Sequence, residues 1–154
     1  MSKMVPWHKM DVSLARLPQF AADFADSLPR ERGERAYVVG LSGELGAGKT
    51  AFVQEVAKAL GASGVPRSPT FVIAQTYRLS KGPFARLVHI DAYRLKPEDA
   101  DTIGWADYAA NPENLILAEW PEHLPGGLPE GSRTLSFTVT GEETRHIKDS
   151  HVKR

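Results

Sequence analysis

Short, nearly continuous apolar runs are the most regular feature of this chain. Residues 36–41 and 115–118 are such runs, which are typical of strands buried on both faces of a sheet. In 133–140 apolar and polar side chains alternate, which predicts a half-exposed strand at the sheet edge. Segments 71–79 and 84–90 are rich in β-branched and aromatic residues and flank a Gly-Pro turn, so we expect them to pair as an antiparallel hairpin.

Apolar residues spaced by three and four predict helices between these strands. The first is predicted over 18–28, and the proline at its first position needs no N–H donor. Two more are predicted over 51–60 and 97–108, the second interrupted near Gly104. A short strand is predicted at 11–14.

This order of elements predicts a single α/β domain. Its central sheet is expected to be mixed, mostly parallel and flanked by helices, with one β-hairpin. The 154 residues suffice for one domain with a sizeable core, which we place at 11–140. Residues 1–10 and 141–154 carry no such pattern, and we expect them to be flexible termini.

The segment Gly-Glu-Leu-Gly-Ala-Gly-Lys-Thr at residues 43–50 matches the phosphate-binding P-loop in every position. A predicted strand precedes it and a predicted helix follows it, which is the context that the motif requires. Its glycines let the backbone wrap an anion, and N–H groups at the helix start point at phosphate oxygens. Lys49 can reach the β- and γ-phosphates, and the Thr50 hydroxyl can ligate Mg²⁺. We therefore predict a P-loop NTPase-like domain whose nucleotide site comprises Glu44, Leu45, Gly46, Ala47, Gly48, Lys49, Thr50 and Ala51.

Carboxylates at the ends of two predicted strands complete this chemistry. Glu119 directly follows an apolar run, as expected of an acid that serves the magnesium ion or its water shell. Asp91 ends the preceding strand and is a candidate to orient the attacking water or to hold a magnesium-bound water. His89 shares a face with Asp91 and is more often structural than a catalytic base. For Arg94, a phosphate contact and an ordinary ion pair are equally good interpretations.

Two further residues are candidates beside the nucleotide. Thr70 follows a proline that stiffens the loop ahead of a strand, so its hydroxyl suits a switch segment that senses the γ-phosphate. Trp120 follows Glu119 and can pack in the core, support a ligand or anchor a partner, with core packing as the default.

Composition narrows the function classes. Lys plus Arg and Asp plus Glu both number 19, so no global basic field attracts nucleic acid. There are no cysteines, which excludes disulfides and thiolate metal sites, and the histidines lack a zinc-like spacing. No apolar run has the length of a signal peptide core or a membrane span, so a cytoplasmic location is the simplest expectation. The basic tail, which contains Arg145, Lys148, Lys153 and Arg154, is interpreted as a solvated end rather than a tRNA site.

Taken together, these motifs resemble the TsaE family. The resemblance rests on the P-loop followed in order by Ser68-Pro69-Thr70-Phe71, by His-Ile-Asp-Ala-Tyr-Arg-Leu at 89–95 and by Leu-Ile-Leu-Ala-Glu-Trp at 115–120. It implies an ATPase that binds ATP and Mg²⁺ and hydrolyses ATP slowly. It also implies that the protein supports the TsaB–TsaD complex, which attaches a threonylcarbamoyl group to N6 of adenosine 37 in tRNA.

The resemblance also implies roles for individual residues. Lys49 would bind phosphate, Thr50 and Glu119 would serve magnesium, Asp91 and Thr70 would serve hydrolysis and the switch, and Trp120 would lie next to the site. Contact with tRNA would be indirect, and no membrane or DNA partner is implied.

Other nucleotide-binding classes fit less well. A small-molecule kinase commonly closes an Arg-rich lid, yet residues 121–131, the one candidate lid, contain no arginine. No Asn-Lys-x-Asp run is present to read guanine. A nucleotide-dependent interaction module stays open as an alternative, because its output would be binding rather than product.

Overall fold

The computed structural model describes residues 10–63, 74–99 and 103–151. Within these ranges seven strands form one sheet: β1 (Met10–Ser13), β2 (Tyr37–Gly43), β3 (Ala74–Arg78), β4 (Arg86–Asp91), β5 (Asn114–Glu119), β6 (Arg133–Val139) and β7 (Thr144–His151). The α-helices of the same ranges are α1 (Leu17–Asp26), α2 (Lys49–Ala59) and α3 (Trp105–Ala110), and single 3-10 turns lie at Leu14–Arg16, Pro97–Asp99 and Pro121–His123.

The strand order is β1-β7-β6-β2-β5-β4-β3, which confirms a single α/β domain with a mixed sheet. The parallel pairs are those that join the four central strands β6, β2, β5 and β4. Antiparallel pairs extend the sheet on both sides, β3 next to β4 and β7 with β1 beyond β6. The predicted hairpin is confirmed over the described part, where Ala74 pairs with Ile90 and Arg78 with Arg86.

Both faces of β2 and β5 are buried over most of their length, as their continuous apolar sequences predict. Alternate residues of β2 and β5 face opposite sides, so Val39 and Leu117 belong to one core while Val38 and Ile116 belong to the other. Helices α1 and α2 cover the first face, and α3 lies over the second. The two-sided burial holds the carboxyl ends of β2, β4 and β5 rigidly together.

The end of the chain differs from the prediction. The segment predicted as an edge strand is β6, and it is internal, because it pairs with β2 on one side and β7 on the other. The flexible end predicted from residue 141 is wrong for Thr144–His151, which is a strand paired to both β6 and β1. Residues 1–9 and 152–154 lie outside the described residues.

Cross-strand partners explain why so polar a segment forms a strand. Arg133 donates through Nε and Nη2 to the two carboxylate oxygens of Asp149, each at 3.0 Å. The Arg133 side chain is buried, and that of Asp149 is 9% exposed. His146 lies 2.8 Å from Asp11. The Arg133–Asp149 pair satisfies polar groups that would otherwise need water, so this part of β7 can lie inside the sheet.

The described part of the segment predicted as a helix over 97–108 contains a 3-10 turn and an α-helix. A 3-10 turn occupies Pro97–Asp99, and α3 begins at Trp105 after Gly104, whose positive φ of 76° matches the predicted interruption. Residues 100–102 lie outside the described residues. Among the described helices, none combines the length and apolar character needed to cross a bilayer.

Candidate nucleotide and metal site

The candidate site lies where the parallel strands β2, β4 and β5 end side by side. Leu41 of β2 and Asp91 of β4 are both in register with Glu119 of β5. This edge is the usual ligand site of open α/β sheets, because loops that leave the carboxyl ends of parallel strands diverge there. The topology therefore brings together the P-loop and the two predicted acids, which are far apart in sequence.

The P-loop runs from the end of β2 to the start of α2, and two of its glycines are required by its backbone. Gly43 has a φ of 145°, and a Cβ there would lie 2.5 Å from the carbonyl oxygen of Phe137. Gly48 precedes α2 in a left-handed conformation with a φ of 96°. The Ala47 N–H donates to the Glu44 carbonyl at 3.1 Å, which closes the loop into a turn, and the Ala47 side chain is buried.

The remaining P-loop positions are accessible to a ligand. Glu44, Leu45 and Gly46 are exposed at the tip of the loop, and Ala51 is exposed in the first turn of α2. Leu45 is 66% exposed. The arrangement leaves the loop open toward solvent above the N-terminus of α2.

Lys49 is held within the site by its neighbours. Only 3% of the residue is exposed, its Nζ donates to the Gly43 carbonyl, and the same atom lies 4.0 Å from the centroid of the Trp120 ring. Burial lowers the pKa of Lys49, while the carboxylates of Glu119, Glu122 and Asp91 oppose that shift. An anionic ligand would add another favourable partner for this buried cation.

Glu119 is the centre of a buried hydrogen-bond network. The Thr50 hydroxyl lies 2.8 and 3.1 Å from its two oxygens, and His89 Nε2 lies 2.6 Å from Oε2. Burial raises the pKa of Glu119, but hydrogen bonds from His89 and Thr50 together with the charge of Lys49 outweigh burial, and the net shift is downward. The carboxyl is therefore ionised, so it accepts both bonds and His89 carries its proton on Nε2.

These donors fit a magnesium ion. Mg²⁺ binds oxygen ligands at about 2.1 Å in octahedral geometry, so two adjacent ligands lie about 3 Å apart. The Thr50 hydroxyl and the Glu119 carboxylate already have that separation. In the described residues no three His, Cys, Asp or Glu side chains converge on one point. Magnesium commonly uses one or two carboxylates and takes its other ligands from phosphate and water.

Asp91 stands at the same edge but outside this network. It is exposed, and its Oδ1 accepts a hydrogen bond from the Tyr93 N–H at 3.2 Å. The geometry thus separates the two acids: Glu119 is buried against Thr50, whereas Asp91 faces solvent. His89, which was expected to be structural more often than catalytic, contacts Glu119 directly. Thr70 lies outside the described residues.

Trp120 lies beside the P-loop in an uncommon backbone conformation. It is the one described non-glycine residue with a positive φ, which is 58°. Its half-buried ring contacts those of Tyr93, with centroids 5.0 Å apart, and His123, 5.9 Å apart. A bulky residue held in the left-handed region stores strain that the surroundings must support, and such strain clusters at ligand sites.

Two residues of the site had no recognisable signal in the sequence. His123 Nδ1 lies 2.9 Å from the Ala92 carbonyl and 3.0 Å from that of Tyr93, so it ties the Trp120 turn to the end of β4. Arg145, which was assigned to a solvated tail, instead donates from Nε to the Ala47 carbonyl at 3.1 Å. Each contact joins segments distant in sequence, which no local motif encodes.

A shallow cavity of about 300 Å³ adjoins the start of the P-loop. It lies between the end of β2 and the end of β6, where Gly43 approaches Phe137. The cavity extends the accessible surface of the loop on the side opposite Glu119. Its lining residues are Ser42, Gly43, Glu44, Ser136, Phe137, Thr138 and Val139.

Comparisons with known proteins show which family and which solved structure the chain resembles. The sequence model of the family described as "Threonylcarbamoyl adenosine biosynthesis protein TsaE" matches residues 13–147. The TsaE protein of Haemophilus influenzae is 35% identical over 113 residues, which are 73% of this chain and 69% of that protein. The TsaE protein of Rickettsia bellii is 38% identical over 128 residues and 82% of each chain. The crystal structure of YdiB from Bacillus subtilis superposes with a TM-score of 0.71 at 26% identity, covering 98% of this chain and 89% of that one.

Proposed function

The chain belongs to the TsaE family of threonylcarbamoyladenosine biosynthesis proteins, and from that premise we propose that it is the ATPase of this tRNA modification. It binds ATP with Mg²⁺ through the P-loop and hydrolyses ATP slowly on its own. Its cycle supports the TsaB–TsaD complex in the cytoplasm, where threonylcarbamoyl is transferred to N6 of adenosine 37 in tRNA. Its own contact with tRNA is indirect.

One observation carries the proposal: the P-loop lysine and threonine face a buried carboxylate from a neighbouring strand. Lys49 and Thr50 open α2, and Glu119 ends β5, with Thr50 hydrogen-bonded to Glu119. This is the minimal set for a phosphate chain with its magnesium ion, namely a cation for the phosphates and two oxygen ligands for the metal. It forms although the two segments are 69 residues apart.

The positions of the two acids divide their roles. Glu119 lies within hydrogen-bond distance of the Thr50 hydroxyl, which is the other proposed metal ligand, so we assign Glu119 to the metal. Asp91 is exposed at the adjacent strand end, so it is free to accept a hydrogen bond from the water that attacks the γ-phosphorus. In that step the bond between the γ-phosphorus and the β–γ bridging oxygen breaks, and ADP and inorganic phosphate are released. Thr70 is retained as the γ-phosphate sensor of this proposal.

A kinase function receives no comparable support. The one candidate lid, residues 121–131, packs onto the sheet. A Cβ at Gly40 of β2 would lie 2.8 Å from Leu128 and 3.0 Å from Pro121, and Leu124 is buried. A segment held this closely, with no arginine to offer the phosphates, is not suited to open and close over an acceptor substrate.

The first test measures nucleotide binding and turnover. Lys49→Ala removes the phosphate-binding cation, and Lys58→Ala removes an exposed lysine from the last turn of the same helix as a matched control. A fluorescent ATP analogue is titrated with Mg²⁺ present, and phosphate release is followed. We expect a loss of affinity of at least tenfold in Lys49→Ala alone. Equal affinities and equal hydrolysis rates in all three proteins would refute the assignment.

The second test concerns the pathway. A reconstituted threonylcarbamoylation system containing the TsaB–TsaD complex is supplied with the wild-type protein, Lys49→Ala or Glu119→Gln. We expect hydrolysis to be faster with the complex than without it, and repeated rounds of tRNA modification only with the wild type. Should all three proteins support equal turnovers per complex, the ATPase cycle is irrelevant to modification.

A further inference from the structure

Arg145 of β7 forms hydrogen bonds to backbone carbonyls of the P-loop. Its Nε donates to the Ala47 carbonyl at 3.1 Å, and its Nη2 lies 3.4 Å from the Gly46 carbonyl. Its Nη1 donates to the carbonyls of Thr144 at 2.8 Å and Gly141 at 3.0 Å, in and beside the turn between β6 and β7. One guanidinium thereby joins the P-loop backbone to the last hairpin of the sheet.

This contact fixes the direction of P-loop amides. A trans peptide is planar, so the N–H of one residue points opposite to the carbonyl of the residue before it. With the Ala47 carbonyl held toward Arg145, the Gly48 N–H must point away from Arg145. Amides at this position of a P-loop point at the phosphates of a bound nucleotide. The loop contains glycines at 46 and 48 with positive φ, so its backbone would otherwise have wide conformational freedom.

We infer that Arg145 is a positioning residue that pre-organises the P-loop for phosphate through its carbonyls, without contacting the nucleotide. The inference rests on the proposed function, because it assumes that the P-loop binds ATP. Ordering a loop before binding removes a cost that the ligand would otherwise have to offset. The fork of the guanidinium suits this role, since it donates to several carbonyls at once in a fixed geometry.

A competing explanation is that Arg145 merely adds positive charge near the phosphates. Arg145→Lys distinguishes these two explanations, because lysine retains the positive charge but lacks the planar guanidinium with its several N–H donors. Lys148→Gln removes a charge from an exposed position of the same strand and serves as the control. A second control is Arg32→Gln, because Arg32 also donates to a backbone carbonyl, that of Pro83, at a place unrelated to the P-loop.

The test combines binding, kinetics and backbone order in the full-length protein. We expect Arg145→Gln and Arg145→Lys to weaken ATP binding and raise KM about tenfold, with kcat changed by less than about twofold, because the loss is uniform ground-state binding. The two controls should bind as the wild type. In ¹⁵N relaxation of the nucleotide-free proteins, the Gly48 order parameter should fall from about 0.85 toward 0.6 in both Arg145 variants.

Each outcome is decisive. Wild-type affinity in Arg145→Lys means that charge alone suffices and overturns the inference, as does an unchanged Gly48 order parameter. If Arg145→Gln does not fold, Arg145→Lys decides the question. If the wild type itself fails to bind ATP, the proposed function fails. The relaxation measurement still tests whether Arg145 orders the loop, because it needs no nucleotide.

Discussion

The buried pair Arg133–Asp149 should dominate the stability of the last hairpin. Asp149→Asn keeps the shape of the side chain but removes its charge, which leaves the Arg133 guanidinium 4% exposed and without a counter-ion at Asp149. Both oxygens of Asp149 accept from the guanidinium at 3.0 Å, so the variant also loses one of two parallel hydrogen bonds. Removing one partner of a buried ion pair typically costs about 3 to 5 kcal/mol.

The expected change is large for a chain of this size. About 3 to 5 kcal/mol corresponds to a fall in Tm of about 6 to 20 °C for a domain of some 150 residues. The control is Asp11→Asn, which breaks the pair with His146 at the neighbouring strand. That pair is 35% and 79% exposed, so solvent screens it and its loss should cost less than about 1 kcal/mol.

Urea unfolding followed by circular dichroism measures both variants. A double variant, Arg133→Met with Asp149→Leu, removes both charges and should restore most of the lost free energy of unfolding. If Asp149→Asn costs no more than Asp11→Asn, the pair is not buried in solution. The original expectation of a flexible end beyond residue 141 would then be correct and the assignment of β7 wrong.

Three further predictions concern the site. Glu119→Gln should raise the Mg²⁺ concentration needed for half-maximal ATP hydrolysis at least tenfold, because the metal loses its ionised ligand. If the magnesium titration of this variant matches that of the wild type, Glu119 is a structural acid and not a metal ligand. Asp91→Asn should lower kcat more than ATP affinity, because a group that orients water acts mainly in the transition state. A loss of affinity at unchanged kcat would instead make Asp91 a binding residue. Gly43→Ala should destabilise the protein by about 1 to 3 kcal/mol in thermal unfolding, because a Cβ there collides with the Phe137 carbonyl. Gly33→Ala, whose added Cβ would meet no atom within 4 Å, should not destabilise the protein.

The structural features that were predicted correctly are those with a local signature. A buried strand that ends in an acid predicts where Glu119 lies, because strand burial shows in consecutive apolar residues. The P-loop is likewise a contiguous motif whose flanks predict a strand and a helix. In both cases the physical requirement falls on neighbouring residues, so the sequence alone exposes it.

The end of the chain lacks such a signature. The polar residues of β7 resemble a solvated tail until their partners are known, and those partners are far away: Asp11 lies 135 positions from His146, and Ala47 lies 98 from Arg145. Composition does not distinguish a strand whose polar side chains bond to neighbouring strands from a tail whose polar side chains hydrogen-bond to water. The same reasoning explains the error at β6, because its internal position depends on β7.

These long-range contacts connect stability to nucleotide binding through one strand. Asp149 anchors β7 to β6, and Arg145 of the same strand holds the P-loop carbonyls. Loss of Asp149 therefore acts on the P-loop only by loosening β7, so ATP affinity and stability should fall together in Asp149→Asn. Loss of the Arg145 fork acts on the loop directly, so affinity should fall in Arg145→Lys while stability is largely kept. That difference between the two variants follows only if β7 is the structural support of the nucleotide site.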